Sequence, residues 1–131
     1  AERPAVYFGG GVAASEAGEE LAALMKKACM PAAYSLMGAG VIHCDDPLNL
    51  GMVGMHGCRT SNFALDNCDV MLAVGTRFSD RVALKPDAFG RRAKLIQIDL
   101  DASEINKNVL VDIGIVGDVK DAFLRIAERM E

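Results

Sequence analysis

The sequence predicts an α/β fold in which helices cover both faces of a parallel sheet, a doubly wound arrangement. Its apolar runs are short and lack the alternation of apolar and polar residues that a half-exposed strand shows. Segments with helical spacing lie between these runs, and several runs end in glycine or in acidic residues. With 131 residues, of which 51% are apolar and 24% charged, the chain has the length and composition of one globular domain.

The first predicted strand is the apolar run PAVYF, which stops abruptly at three glycines. A helix follows, because apolar residues recur at steps of three and four between residues 17 and 28. We expect Ser15 to cap its N-terminus, and Lys26 and Lys27 to lie at its C-terminal end, where the helix dipole favours cations. Pro31 ends this helix, and AAYSL is the second predicted strand.

The segment from Leu36 to Met55 has no clear helical or strand period, so we predict an irregular loop there. Residues Thr60 to Asn67 are a predicted short helix, and DVMLAVG is a buried third strand. The polar stretch RFSDRVALKPDAFGRR has the composition of a surface loop. AKLIQIDLD and VDIGIVGD are the fourth and fifth strands, separated by one or two helical turns in ASEINKN, and the last helix begins near Val119.

Charge and cysteine content narrow the class of protein. The net charge of -4 and the pI near 5.1 argue against nucleic acid as a partner. The four cysteines form no C-x-x-C pair, which favours reduced thiols in a cytoplasmic protein and no metal site. We predict neither a membrane span nor a secretory leader. The first residue is Ala rather than Met, which favours a fragment or a processed product.

Residues suited to a nucleotide follow the predicted strands. In an open parallel sheet, ligands bind beyond the carboxyl ends of the strands. Glycines there let a ligand touch the backbone, and acidic side chains accept hydrogen bonds from ribose hydroxyls. Gly9, Gly11 and Ala14 also fit the G-x-G-x-x-A pattern of a pyrophosphate-binding turn. The residues at these predicted strand ends are Gly9, Gly10, Gly11, Ser35, Leu36, Met37, Gly75, Thr76, Arg77, Asp99, Leu100, Asp101, Gly117 and Asp118.

These residues also have ordinary structural explanations. NAD binding of the dehydrogenase type is disfavoured, because YSLMG rather than an acidic residue ends the second strand. Arg77 and Arg81 could bind a phosphate or a carboxylate, or they could be solvated loop charges. His56 could contact a ligand or make a hydrogen bond within its loop. Asp99 and Asp101 could be helix N-caps, and the methionines could fill the core.

Four motifs together resemble one family of enzymes. They are LMGAGVIHCDDPLNLGMVGMHG, LAVGTRFSDRV, AKLIQIDLDASEINKN and IVGDVK, in the family's order and spacing. Residues 1–131 resemble the single central domain of acetohydroxyacid synthase (acetolactate synthase), a thiamine-diphosphate enzyme of branched-chain amino acid biosynthesis. The resemblance implies a sirtuin-like Rossmann domain with a six-stranded parallel sheet that binds FAD. The flavin it implies is mainly structural, since condensing two 2-ketoacids with loss of carbon dioxide needs no redox step.

The resemblance assigns the flavin site residue by residue. It implies that Met55 and His56 lie along the flavin and that Arg81 has a catalytic role in selecting the acceptor ketoacid. Ser79 departs from the family, which often has Asp at that position, and Ser35 stands where Thr is more usual. The implied FAD contacts are Gly9, Gly10, Gly11, Ser35, Leu36, Met37, Met55, His56, Gly75, Thr76, Arg77, Arg81, Val82, Asp99, Leu100, Asp101, Glu104, Gly117, Asp118 and Val119.

The resemblance also implies which functions lie outside this chain. The only GD pair, Gly117 and Asp118, runs into a predicted helix, so thiamine diphosphate and Mg²⁺ would be bound by flanking domains. A homo-oligomer and a regulatory small subunit are further implied partners, and the chain alone is not expected to be active. Two alternatives stay open. One is a binding module for ADP, coenzyme A or NAD; the other is a sirtuin-type NAD hydrolase, whose zinc module the sequence lacks.

Overall fold

A computed structural model describes residues 1–78 and 92–130 of the chain. Its strands form a single six-stranded sheet in which every neighbouring pair is parallel. The predicted doubly wound α/β fold and the six-stranded sheet are therefore confirmed. The strands are β1 (Pro4–Phe8), β2 (Ala32–Tyr34), β3 (Asn49–Met52), β4 (Val70–Val74), β5 (Lys94–Asp99) and β6 (Ile113–Val116), in the spatial order β3-β2-β1-β4-β5-β6.

Helices connect these strands on both sides of the sheet. The α-helices in the described ranges are α1 (Gly10–Ala14), α2 (Gly18–Ala28), α3 (Arg59–Asn67) and α4 (Val119–Arg129). Two short 3₁₀ turns, Leu36–Gly38 and Ala102–Glu104, follow β2 and β5. In residues 1–78 and 92–130, no helix has the length and hydropathy needed to cross a bilayer.

The alternating residues of β1 explain why its sequence is apolar throughout. Ala5 and Tyr7 belong to the buried cluster on one face of the sheet, together with Leu65 of α3. Val6 and Phe8 belong to the cluster on the other face, which α2 and α4 cover. Because both faces are buried, both sets of side chains must be apolar.

The structure corrects the predicted start of the first long helix. Ser15 is not the N-cap of that helix. It follows the last residue of α1, and its backbone N–H donates a hydrogen bond to the carbonyl oxygen of Gly11 at 3.1 Å. Glu16 has a left-handed φ of 52°, which turns the chain between the two helices, and α2 begins at Gly18. The prediction of Lys26 and Lys27 in the last turn of α2 is confirmed.

Strand β3 lies within the segment for which the residues predicted only an irregular loop. Its sequence, NLGM, is short and half-buried along its length, so it shows neither an apolar run nor an alternation. Gly51 has a φ of 94°, and the register between β2 and β3 shifts at Ala32 and Ala33. Pairing with β2 at the sheet edge, rather than a local sequence pattern, therefore specifies this strand.

Candidate functional site

The carboxyl ends of neighbouring strands lie along one edge of the sheet and are joined by backbone hydrogen bonds. The parallel pairing places them there, since parallel strands all end at the same edge. The chain therefore brings the glycines after β1 and β4 next to the loops that follow β2, β5 and β6. The bonds are Ser35 N to Phe8 O (3.0 Å), Gly9 N to Val74 O (3.0 Å), Gly75 N to Ile98 O (2.9 Å) and Gly117 N to Asp99 O (3.0 Å).

The glycines after β1 are required by close packing at this edge. A Cβ added to Gly9 would lie 2.7 Å from the carbonyl oxygen of Gly75 and 3.0 Å from the hydroxyl of Ser35. A Cβ on Gly10 would lie 3.1 Å from the Cβ of Met37. The absence of side chains lets the start of α1 pack directly on the turn after β4, where the N–H groups of Gly9 and Gly11 donate to the carbonyl oxygens of Val74 and Gly75 at 3.0 Å each.

A cavity of about 420 Å³ opens between the ends of β1, β2 and β4. The Met37 side chain is 75% exposed, so it stands at the rim rather than in the core. Thr76 is buried, and Arg77 follows it at the cavity wall. The volume lies within the range of small-molecule sites. The cavity is lined by Tyr7, Gly10, Ser35, Met37, Thr76 and Arg77.

The acidic loop after β5 is held in place by its own hydrogen bonds. Asp99 accepts the backbone N–H of Asp101 at 3.0 Å. Asp101 in turn accepts the hydroxyl of Ser103 at 2.7 Å and its backbone N–H at 2.9 Å, which confirms the N-cap interpretation of Asp101. The pKa of Asp101 is lowered from its usual value chiefly by the hydrogen bond from the Ser103 hydroxyl and next by the one from the Ser103 N–H. The charges of Lys107 and Arg77 lower it further by smaller amounts. Asp101 is therefore an ionised acceptor at neutral pH.

The other candidate residues at this edge differ in how far their side chains are exposed. Leu100 is exposed beside the acidic loop, whereas Glu104 is largely buried and its carbonyl oxygen accepts the Gln97 amide at 3.1 Å. Asp118 caps α4 by accepting the N–H of Asp121 at 3.0 Å. Val119 packs in the core, so only its backbone could meet a ligand.

The loop between β3 and α3 presents Met55 and His56 to solvent. The Met55 side chain is 59% exposed, and His56 is also exposed. Asn62 of α3 holds this loop through both atoms of its amide, accepting Gly54 N at 2.8 Å and donating to Gly54 O at 3.0 Å. The buried Ser61 hydroxyl donates to the carbonyl oxygens of the residues that precede and follow the loop, Met52 and Cys58.

Three residues singled out in the sequence lie outside the described part of the chain, and two residues at or near the site were not predicted from the sequence. Arg81, Val82 and Ser79 lie outside the described residues. Tyr7 lines the cavity, although its position inside an apolar strand suggested only a core side chain. The role of Asn62 in holding the loop was not predicted, because a single amide side chain on a helix belongs to no recognisable sequence motif.

One group of potential metal ligands occurs in the described ranges, away from this edge. The ligand atoms of His43, Cys44 and Asp45 all lie within 4.8 Å of one another, and all three residues are exposed. His43 Nδ1 already accepts the backbone N–H of Asp45 at 3.1 Å. His56 and Cys58 do not belong to this group. Exposed polar neighbours of this kind do not by themselves make a metal site.

A family profile described as the thiamine pyrophosphate enzyme, central domain, matches residues 1–126 of the chain. The chain belongs to this family. Its sheet is the all-parallel, six-stranded one described above. The family membership confirms the resemblance to thiamine-diphosphate enzymes and leaves no support for a sirtuin-type hydrolase.

Curated relatives of this central domain are much longer proteins. A probable acetolactate synthase large subunit from Methanocaldococcus jannaschii is 51% identical over 120 residues, covering 92% of this chain and 20% of the relative. One from Methanococcus aeolicus is 44% identical over 131 residues, covering 100% of the chain and 22% of the relative. A probable chloroplastic acetolactate synthase 2 from Oryza sativa subsp. japonica is 48% identical over 92% of the chain and 18% of the relative. The chain thus spans about a fifth of the length of these relatives.

Proposed function

We propose that this central domain binds FAD at the carboxyl edge of its sheet, as part of an acetolactate synthase large subunit. The observation that carries the proposal is the meeting of Gly9, Gly11 and Gly75 beside a cavity with Arg77 in its wall. The relatives named above are acetolactate synthases, which supports the choice of parent enzyme. The parent enzyme would condense two 2-ketoacids with loss of carbon dioxide.

The residues of this edge fit a dinucleotide in both charge and shape. Side chains on Gly9 or Gly11 would collide with backbone atoms of Gly75, so the packing at this edge requires glycine at both positions. Arg77 offers a guanidinium that can pair with a diphosphate, a geometry for which its planar fork is suited. Asp99 and Asp101 offer acceptors for the ribose hydroxyls, and the Asp101 carboxylate keeps its charge at neutral pH.

The adaptable apolar side chains at the rim suit the flat flavin ring. Met37 and Met55 are exposed, and thioethers on flexible chains pack well against aromatic surfaces. When bound, FAD would be a structural cofactor, because the net condensation transfers no electrons. The remaining proposed contacts are Gly10, Ser35, Leu36, His56, Thr76, Leu100, Glu104, Gly117, Asp118 and Val119, with Arg81 and Val82 from outside the described residues.

The chemistry of the parent enzyme would depend on parts beyond this domain. Flanking domains of the same polypeptide would hold thiamine diphosphate and Mg²⁺, and thiamine diphosphate would supply the nucleophilic carbanion for condensation. Within residues 1–131, Arg81 is proposed to pair with the carboxylate of the acceptor ketoacid, which makes it the one catalytic residue here. The proposed setting is a cytoplasmic homo-oligomer that associates with a regulatory small subunit.

A second candidate is a flavin-free member of the same family whose central domain binds ADP, coenzyme A or NAD. The absence of an acidic residue at the end of β2, where Tyr34 leads into Ser35, disfavours NAD within this group. ADP is harder to separate from FAD, because both carry an adenosine diphosphate. The distinguishing feature is the flavin half, which only Met37, Met55 and His56 are proposed to meet.

Isothermal titration of the purified chain with FAD, ADP and NAD separates these candidates. We expect FAD to bind more tightly than ADP, since the flavin ring adds apolar contact with the rim, and we expect ADP to compete with FAD. Heat of binding from ADP or NAD, with none from FAD, would replace the proposed function by the flavin-free alternative.

A further inference from the structure

We propose that Asn108 and Tyr7 are positioning residues that hold the turn Thr76–Phe78 in the shape the nucleotide site requires. This inference rests on the proposed binding of FAD and adds two residues that neither the family resemblance nor the sequence pattern assigned. Asn108 and Tyr7 act on the turn from opposite sides. Neither is proposed to touch the reacting atoms.

The turn after β4 has a backbone that needs outside support. Gly75 has a φ of 57°, and Phe78 has a φ of 49°. Glycine adopts the left-handed region freely, but a bulky aromatic residue rarely does, because its Cβ crowds the backbone there. Such a conformation persists only where the surrounding contacts determine it. Phe78 is nevertheless buried, with 3% of its surface exposed.

Tyr7 supports the turn from the core side. Its ring lies 5.6 Å from the ring of Phe78 at an interplanar angle of 50°, a tilted aromatic contact. It also lines the cavity together with Thr76, the first residue of the turn. Burial raises the pKa of Tyr7, so the phenol stays neutral. Tyr7 thus packs against the last residue of the turn and lies in the same cavity wall as the first.

Asn108 supports the turn from the solvent side. Its Nδ2 donates to the carbonyl oxygen of Arg77 at 2.7 Å, across 31 positions of sequence. The loop that carries Asn108 is itself anchored, because the next residue, Val109, is buried in the core. Asn106 accepts the backbone N–H of Val111 at 2.8 Å and closes this loop. The amide of Asn108 therefore comes from a fixed scaffold.

The consequence for binding concerns Arg77, the middle residue of the turn. Its carbonyl oxygen accepts a hydrogen bond from Asn108, and the next residue in the chain, Phe78, packs against the ring of Tyr7. Its guanidinium is close enough to Asp101 to contribute to the lowered pKa of that carboxyl. An arginine on a fixed backbone loses less conformational entropy on binding a phosphate than one on a mobile loop. Loss of the support should therefore weaken the diphosphate contact without unfolding the domain.

The test compares Asn108→Ala and Tyr7→Leu with the wild-type chain, since the second change removes the ring that packs against Phe78 and keeps an apolar side chain. Asn67→Ala is the control, because the Asn67 amide makes its hydrogen bonds away from the turn: Nδ2 donates to the carbonyl oxygen of Phe63 at 2.9 Å, and Oδ1 accepts Arg92 Nη1 at 3.1 Å. Two quantities are measured: deuterium exchange at the backbone amides of residues 76–78 in the chain without ligand, and the dissociation constant for FAD by calorimetry. Thermal unfolding of each variant confirms that the fold is retained.

We expect exchange at residues 76–78 to be about three- to tenfold faster in Asn108→Ala and Tyr7→Leu, as follows from the loss of one hydrogen bond in the first and one aromatic contact in the second. We expect FAD to bind about two- to fivefold more weakly to both, while Asn67→Ala matches wild type in both measurements. Unchanged exchange in the two variants would overturn the inference, as would faster exchange with unchanged FAD affinity. If the wild-type chain binds no FAD, the proposed function itself fails; if it binds and the variants bind equally well, only the positioning role fails.

Discussion

Gly11 and Gly75 are in direct backbone contact at the carboxyl edge of the sheet. A Cβ added to Gly11 would lie 2.5 Å from the Cα of Gly75, and one added to Gly75 would lie 2.6 Å from the Cα of Gly11. The N–H of Gly11 also donates to the carbonyl oxygen of Gly75 at 3.0 Å. The start of α1 and the turn after β4 can approach this closely only when both residues lack side chains.

Replacing Gly11 by alanine is therefore expected to destabilise the domain by about 2 kcal/mol or more, because the added methyl group meets backbone that cannot swing aside. Gly117→Ala is the control for stability: a Cβ there would meet nothing within 4 Å, and we expect a change within about 0.5 kcal/mol. Urea denaturation of the two variants measures both values. Equal stability of Gly11→Ala and wild type would show that the contact is looser than the structure has it.

Met37 and Met55 are expected to act on flavin affinity rather than on folding. Both side chains are more than half exposed, so truncating either to alanine should change the free energy of unfolding by less than about 0.5 kcal/mol. FAD should bind several-fold more weakly to each variant, whereas ADP should bind as it does to wild type. Leu124→Ala, an exposed apolar truncation on α4, is the control. An equal loss for FAD and ADP would contradict contact with the flavin half.

Asn62 is expected to control the loop that presents His56. Asn62→Ala removes two hydrogen bonds to Gly54, each worth roughly 0.5–1.5 kcal/mol. We expect a lower free energy of unfolding and faster hydrogen exchange at residues 54–57, with weaker FAD binding as the functional result. Asn49→Ala serves as a comparison, because Asn49 tethers the preceding segment through the carbonyl oxygen of His43 at 3.1 Å. Faster exchange of residues 54–57 in both variants would show that the loop responds to general loosening.

The pH dependence of Asp101 gives a test of the acidic loop. Its pKa is held below the usual value chiefly by the Ser103 hydroxyl, so its stabilising effect is complete at neutral pH. That effect is lost as the pH falls below about 4 and Asp101 takes up a proton. Ser103→Ala should raise the pKa of Asp101 towards its ordinary value, as read from carboxyl NMR titration. The lowered pKa of Asp69, held by the Glu2 N–H, should not move; an unchanged Asp101 pKa would refute the assignment.

The sequence alone predicted the strands that are buried on both faces of the sheet. It did not predict the elements whose conformation depends on contacts with other parts of the chain. DVMLAVG and AKLIQIDLD contain apolar runs without regular alternation, and they form β4 and β5, two interior strands of the sheet. NLGM shows no such pattern, because β3 is an edge strand whose pairing with β2 specifies it. The break between α1 and α2 was equally hidden, since it depends on the left-handed conformation of Glu16.

The same distinction applies to the candidate site. The glycines, Arg77 and the acidic pair at the end of β5 could be predicted, because strand ends in a parallel sheet share one edge. Tyr7 and Asn108 could not, since their contacts with the turn after β4 cross 71 and 31 positions of sequence respectively. Long-range contacts of this kind leave no periodic or spacing signal in a single sequence.

The central claim is that one continuous edge of the sheet holds FAD, and NMR chemical-shift mapping tests it most directly. Titration of the isotope-labelled chain with FAD should perturb the amides of residues 9–11, 35–37, 75–77 and 99–101 together, with one shared dissociation constant. The amides of residues 24–30 and 126–130, next to the amino edge of the sheet, should stay unperturbed. Perturbations confined to that opposite edge, or none at millimolar FAD, would contradict the account.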